Sequence, residues 1–456
     1  MQSTLTKSQL LGEIKALLFL AIPLAGAQLA QSATGFVDTV MMGMLGQQTL
    51  AAGALGSGFF TALLLTGTSL LAAVSPLAST AFGASQPQEV SRVVRQGLWL
   101  SVIIGLPMTL LLWHGSTLIR WLGQEESNIE LAGIYLRAIA WGILPAMGFA
   151  VLRNFVSALS QPRPVIVITI CGTLFNGVAN YVLMLGKLGF PSLGIMGIGY
   201  ASALSLWGTF LALVIYILWH SQLRTYQIFQ NLQRFEARVF WDLVQTGVPI
   251  GILAAVETGL FTFTTFLMGQ LGTVTLAAHQ IALQTAALTF MVPLGVSYAT
   301  TVRVGQQLGQ RNASGARLAG FIGISISAAF MILMGLVFWT MPVAIVALYL
   351  DIRDPVNQPV VDMAKTLLGI AAVFQLVDGI QVAAVGALRG FKDTTIPMLI
   401  GIFAYWCVGL TSGYFLGFHL ALGGVGLWWG LAIGLAIAAT VLTWRFSQTL
   451  LGTEKE

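Results

Sequence analysis

The 456-residue chain is 57% hydrophobic and 8% charged, against about 25% charged residues in an average soluble domain. Its twelve Trp, nine Tyr and 26 Phe outnumber its 21 basic and 16 acidic side chains together, so a soluble surface cannot be covered. A soluble enzyme, a nucleic-acid binder and a disordered chain are excluded. An outer-membrane barrel is excluded too, because the apolar residues come in long unbroken runs rather than in alternation.

Twelve runs are long enough to cross a bilayer as helices, which predicts an all-α integral membrane protein. They lie at residues 14–39, 49–76, 93–118, 131–153, 164–187, 194–219, 240–269, 275–301, 315–340, 360–386, 395–418 and 421–446. Lys7 and Lys15 precede the first run, and Ala25-Gly26-Ala27 resembles a cleavage site. The apolar stretch nevertheless continues to Met44, too long for the core of a signal peptide, and it reads as a retained helix. Sixteen of the 21 Lys and Arg residues, Arg224, Arg234, Arg303, Arg389 and Lys455 among them, fall at the termini or in even-numbered connections. Only Arg120, Arg137, Lys187, Arg353 and Lys365 fall on the other side. This asymmetry predicts cytoplasmic termini. The net charge of +5 is then a topology signal and a contact with anionic headgroups.

Cys171 and Cys407 sit inside apolar runs and read as small core residues. His114, His220, His279 and His419 have no second ligand at helical spacing, which gives a metal site no support. No G-x-x-x-x-G-K-[ST], Gly-x-Ser-x-Gly or H-E-x-x-H motif occurs. Nothing therefore points to an ATP-driven engine or an enzyme, and no cofactor is expected.

The two halves resemble each other. Met42-Gly43-Met44-Leu45-Gly46 and the residues to Ala52 align with Met268-Gly269-Gln270-Leu271-Gly272 and the residues to Ala278, at a shift of 226 that also pairs Pro23 with Pro249 and Gly83 with Gly309. Leu193-Gly194 and Gly197 match Leu422-Gly423 and Gly426 at a shift of 229. Six spans per repeat is an even number, so the halves insert in the same direction, related by an axis along the membrane normal. The predicted organisation is a six-helix lobe at 1–219, a cytoplasmic linker at 220–239 and a second lobe at 240–456. Two such bundles favour a carrier over a receptor or channel.

Most of the sixteen acids are assigned to loops or termini, Glu13, Glu125, Glu454 and Glu456 included. Asp38, Glu257 and Asp378 remain inside apolar runs, with no Lys or Arg at pairing distance in the same run. A central Asp costs about 2.5–3.5 kcal/mol on insertion scales, so three acids cost roughly 8–10 kcal/mol. A desolvated carboxylate without a cationic partner can exchange protons or take a hard cation such as Na⁺. The repeat partners of the three are Thr264, Gln31 and Phe149, so the acids are not framework copied into both halves. Asn176 and Asn180, four residues apart, could place amide oxygens beside a carboxylate. Gln31 and Thr34 share the face of Asp38, Thr264 that of Glu257, and Gln381 stands three residues after Asp378. Pro23 and Pro249 would free carbonyls and kink their helices.

Gly35-Phe36-Val37-Asp38-Thr39-Val40-Met41, Ala277-Ala278-His279-Gln280, Arg303-Val304-Gly305 and Leu388-Arg389-Gly390-Phe391-Lys392-Asp393 together resemble the multidrug and toxic compound extrusion (MATE) family, closest to its bacterial NorM-like branch. The resemblance runs from about residue 12 to 445. It implies two six-helix lobes forming a V-shaped cavity, and antiport of small organic cations against Na⁺ or H⁺ in the bacterial inner membrane, by a monomer. Glu257 and Asp378 match the family's acidic pair for cation coupling, where Na⁺ could bind. Asp38, Asn176 and Asn180 match its N-terminal-lobe cluster, and Gln280 is a supporting polar residue. Phe374 stands where some relatives have Tyr, so a hydroxyl ligand there is lost. The rival reading is a flippase for lipid-linked precursors. It would need a cationic cavity, yet the basic residues map to loops, run ends or tails, apart from Arg137 and Lys365 near external run ends.

Overall fold

The computed structural model describes residues 7–121 and 126–453; Glu125, Glu454, Lys455 and Glu456, assigned above to loops and tail, lie outside them. Twelve helices among the described residues are long and apolar enough to cross a membrane. In chain order they are α1 (Lys7–Met44), α2 (Gln47–Gly83), α3 (Pro87–Trp113), α4 (Glu126–Ala158), α5 (Arg163–Leu185) and α6 (Gly194–Trp219). The second half adds α7 (Ala237–Gln270), α8 (Thr273–Gly309), α9 (Ala313–Thr340), α10 (Pro355–Gly390), α11 (Thr395–His419) and α12 (Gly423–Thr449). Each matches one predicted run. The chain is an all-α, multi-pass membrane protein. Several helices outrun their apolar windows because backbone hydrogen bonding continues into polar turns, as in α8, which runs past Arg303 to Gly309.

The apolar surface is turned outward. On α5, Leu174 and Val178 are 66% and 62% exposed, while Asn176 and Asn180 are fully buried. A helix in hydrocarbon reverses the soluble pattern, burying its polar stripe and presenting its apolar one to lipid. The same reversal corrects the reading of Cys171 and Cys407, which are both exposed. An apolar run in a membrane helix has a lipid face as well as a core face, and run membership does not choose between them.

The repeat is visible in the backbone. Gly46 and Gly272, 226 residues apart, precede α2 and α8 with φ of +112° and +109°. Only glycine adopts that conformation without strain. Left-handed Ser85 and Arg311 follow α2 and α8 at the same shift, and Gly194 and Gly423 form a third pair.

By packing, residues Gly26–Gly251 form one unit, and the chain up to Ala25 together with Ile252–Glu456 forms the other. Both boundaries fall inside long helices, two residues after Pro23 in α1 and two after Pro249 in α7. The first half of α1 buries Leu17, Leu20, Ala21 and Leu24 against Val296, Ala299 and Val302 of α8 and Ile322 of α9. Glu13, read from the sequence as a loop acid, is instead a helical residue there. It is almost fully buried and gripped by Arg303, whose Nε donates to Oε1 at 2.7 Å and Nη2 to Oε2 at 2.6 Å. A charge this far from water requires such a fork.

The 220–239 connection is fastened to α3 within the Gly26–Gly251 unit. Ser91 donates to the Tyr226 carbonyl, Arg95 to Gln230 at 3.2 Å, Gln96 to Arg234 at 3.0 Å and Trp99 to Leu232 at 2.7 Å. Residues 91, 95 and 99 recur every four positions, so one face of α3 takes up the linker's carbonyls. In the other unit, α11 meets α12 glycine to glycine. A methyl group on Gly430 would stand 2.2 Å from the Gly413 Cα, and wide π-helical turns at Phe403–Leu410 and Phe415–His419 accompany this close approach.

Candidate functional site

Each unit carries a buried polar cluster built around the acids that stand inside apolar runs. In the Gly26–Gly251 unit, Asp38 sits two turns inside the end of α1 and is 8% exposed. Asn180 of α5 donates through Nδ2 to its Oδ1 at 2.6 Å, and the Ser202 hydroxyl of α6 donates to its Oδ2 at 2.8 Å. Asn176 Nδ2 donates to Ser202 Oγ at 3.0 Å, and Asn180 Nδ2 also approaches Asn176 Oδ1 at 3.2 Å. Both carboxylate oxygens therefore have a donor, and Asn180 keeps a buried oxygen with no hydrogen-bond partner. Asn176 and Asn180 converge on one carboxylate because residues four apart share a helix face. Thr34, one turn before Asp38, pairs instead with Thr173 Oγ1 at 2.8 Å, and Gln31 is exposed.

The second cluster joins α7, α10 and α11. Glu257 of α7 is half-buried, and Asp378 of α10 is 5% exposed. Their carboxylates lie within electrostatic range of one another, and Glu257 also within that of Arg389. Gln381, one turn beyond Asp378, donates through Nε2 to the Tyr405 hydroxyl of α11 at 2.6 Å. Asp378 Oδ1 and Gln381 Oε1 are buried without a hydrogen-bond partner. Two uncommitted hard oxygens on one helix, with a second carboxylate near, form a donor set suited to a proton or a small hard cation. Thr264, one heptad from Glu257, is buried on α7. Gln280 lies partly buried in the second turn of α8, and no hydrogen bond joins it to either carboxylate.

Ser202 and Tyr405 complete these clusters and were not singled out in the sequence. A serine or tyrosine in an apolar run carries no spacing signal, and its partner lies on another helix. Arg389 also moves. Read as a cytoplasmic loop residue, it belongs to the last turn of α10, with a buried Nε. Glu257 has no cation in its own run, but α10 brings one within range. Phe374, where a hydroxyl would be expected from the resemblance, is buried edge-to-face against Phe261 and Trp428, with ring centroids 6.1 and 5.3 Å away.

The MatE family model matches the chain twice, over residues 23–182 and 249–415. The chain belongs to the MatE family. The two matches begin at Pro23 and Pro249, the pair that relates the halves of the sequence. The chain is 46% identical to the probable multidrug resistance protein NorM of Synechocystis over 438 residues, covering 96% of this chain and 95% of that protein. It is 41% identical to the protein of the same description from Pseudomonas aeruginosa, covering 95% and 89%. The crystal structure of a MATE in complex with MaL6 superposes with a TM-score of 0.89 at 21% identity, over 99% of this chain and 100% of that one. That likeness establishes the MATE two-bundle fold.

Proposed function

We propose that this MatE-family protein is a multidrug efflux antiporter that exports small organic cations in exchange for Na⁺ or H⁺. The observation that carries the reading is the pair Glu257–Asp378, two carboxylates brought together inside a membrane-spanning unit with acceptor oxygens uncommitted. Relatives that are near-full-length matches are described as multidrug resistance proteins, which supports efflux as the direction of use.

The chemistry follows from competition. An organic cation is held by the negative charge of the carboxylates. A proton or Na⁺ bound to the same oxygens removes that charge, and a unit charge about 4 Å away is worth roughly 4 kcal/mol at an effective dielectric of 20. The two cations therefore exclude each other, and alternating exposure of the site to the two sides converts that exclusion into exchange. Asp38, with its two donors, offers a second carboxylate in the other unit. The charge asymmetry of the sequence supports cytoplasmic termini, and the reading places the chain in a bacterial inner membrane as a monomer.

The test is ethidium efflux from vesicles reconstituted with purified protein, under a Na⁺ gradient and a pH gradient imposed separately. Efflux under either gradient, lost in Asp378→Asn and Glu257→Gln, is the expected result and names the ion. Wild-type efflux from both amide variants overturns the site, and no wild-type efflux under either gradient moves the reading to a lipid-linked cargo.

A further inference from the structure

The buried histidine of the second unit is unused by this scheme and tightly defined. His279 is fully buried in the second turn of α8. An indole N–H only donates, so the 3.2 Å contact from Trp428 Nε1 makes His279 Nδ1 an acceptor. In the neutral ring Nε2 then carries the proton and donates to Thr265 Oγ1 at 3.0 Å. The Thr265 hydroxyl donates in turn to the Phe261 carbonyl at 2.9 Å. The relay starts at a donor-only group and ends at an acceptor-only group, so its order cannot be reversed. It selects one histidine tautomer and ties α12, α8 and α7 together at one level.

That level is the one beside the acidic pair. Phe261 follows Glu257 by four residues on α7, and Phe374 precedes Asp378 by four on α10. An odd-numbered and an even-numbered span run in opposite directions, so both rings lie one turn from the carboxylates toward the same end, that of Gln270 and Pro355. This is the end that the proposed topology places outside. Trp428 stands edge-to-face on Phe374 at 5.3 Å and on His279 at 5.8 Å, and Phe374 does so on Phe261 at 6.1 Å. A small cation crossing this layer meets packed aromatic rings and a relay whose members are already hydrogen-bonded to one another.

We propose that His279 is a positioning residue for ion coupling: it holds Trp428, and through it Phe374 and Phe261, as an aromatic barrier on the external side of Glu257 and Asp378, which opens only during exchange. The proposal rests on the reading of those two acids as the coupling site.

Four reconstituted proteins test it: wild type, His279→Gln, His279→Leu and Trp428→Phe. Glutamine can keep both bonds, accepting from Trp428 through Oε1 and donating to Thr265 through Nε2. Leucine keeps bulk alone, and the Trp428→Phe variant keeps an aromatic face that cannot donate. Two rates are measured, coupled ethidium–ion exchange and ion flux down the same gradient with no organic cation present. Monodispersity on size exclusion establishes folding. Leucine and phenylalanine variants are expected to leak ions without substrate at least ~5-fold faster than wild type, the factor set by one lost hydrogen bond, with the glutamine variant tight. Ion-tight leucine and phenylalanine variants overturn the proposal, as does a glutamine variant that leaks like the leucine one. If His279→Leu fails to fold, Trp428→Phe and His279→Gln decide it. A wild type that exchanges nothing refutes the functional reading instead, and is distinguished by the coupled rate.

Discussion

Replacing Arg303 by Met should destabilise the second unit more than any exposed charge could. The guanidinium makes two short bonds to a carboxylate that is 9% exposed at the side chain, and is itself only 17% exposed. Without it, Glu13 keeps the Gln307 amide, at a long 3.4 Å. Stranding a buried charge in this way costs about 3–5 kcal/mol, or a fall in Tm of roughly 5 °C for a chain of this length. Glu13→Leu strands Arg303 instead, with Gln306 Oε1 at 2.8 Å as compensation, and should cost somewhat less. The double variant Glu13→Leu/Arg303→Met removes both charges and should recover most of the loss, because apolar replacement of a complete buried pair is close to neutral. The assay is thermal unfolding of detergent-solubilised protein, read as a double-mutant cycle. Single variants melting within about 1 °C of wild type, or a double variant less stable than either single one, would refute the reasoning.

Ser202→Ala removes the hydroxyl that donates to Asp38 Oδ2. Such a bond to a charged group is worth about 1.5–3 kcal/mol, so coupled efflux should fall roughly tenfold or more at unchanged protein yield, and unchanged efflux would remove Ser202 from the site. Gly430→Val forces a branched side chain into the Gly413 backbone and should lower Tm and yield, by an overpacking cost of about 1–3 kcal/mol or more; a wild-type melting curve would disprove the close approach of α11 and α12. Trp99→Ala removes the bond to the Leu232 carbonyl and the edge-to-face contact with Phe235. Limited trypsin digestion should then cut faster at Arg224 or Arg234, and an unaltered digestion pattern would show that α3 does not hold the linker.

The sequence alone determined the number of spans, the internal repeat and the three intramembrane acids. Each rests on short-range information: hydropathy over about twenty residues sets a helix across a bilayer, and a repeat or an unpaired acid is visible wherever the chain is read. Asn176 and Asn180 were legible for the same reason, since a spacing of four is a face. Tertiary structure decided which groups meet. Asp38 finds Ser202 164 residues away, Gln381 finds Tyr405 on the next helix, and Glu13 finds Arg303 at a separation of 290. Nothing local marks such partners, because an isolated Ser in an apolar helix can as well bond its own backbone, and a Tyr can as well turn its ring outward. Glu13 and Arg389 prove to be helical rather than loop residues because a residue near a run end can turn inward along its own helix, and only packing shows which way it turns. The exposed Cys171 and Cys407 have the same origin: the hydrophobic effect that drives a helix into the membrane acts alike on its core face and its outer face, and only the neighbouring helices tell the two apart.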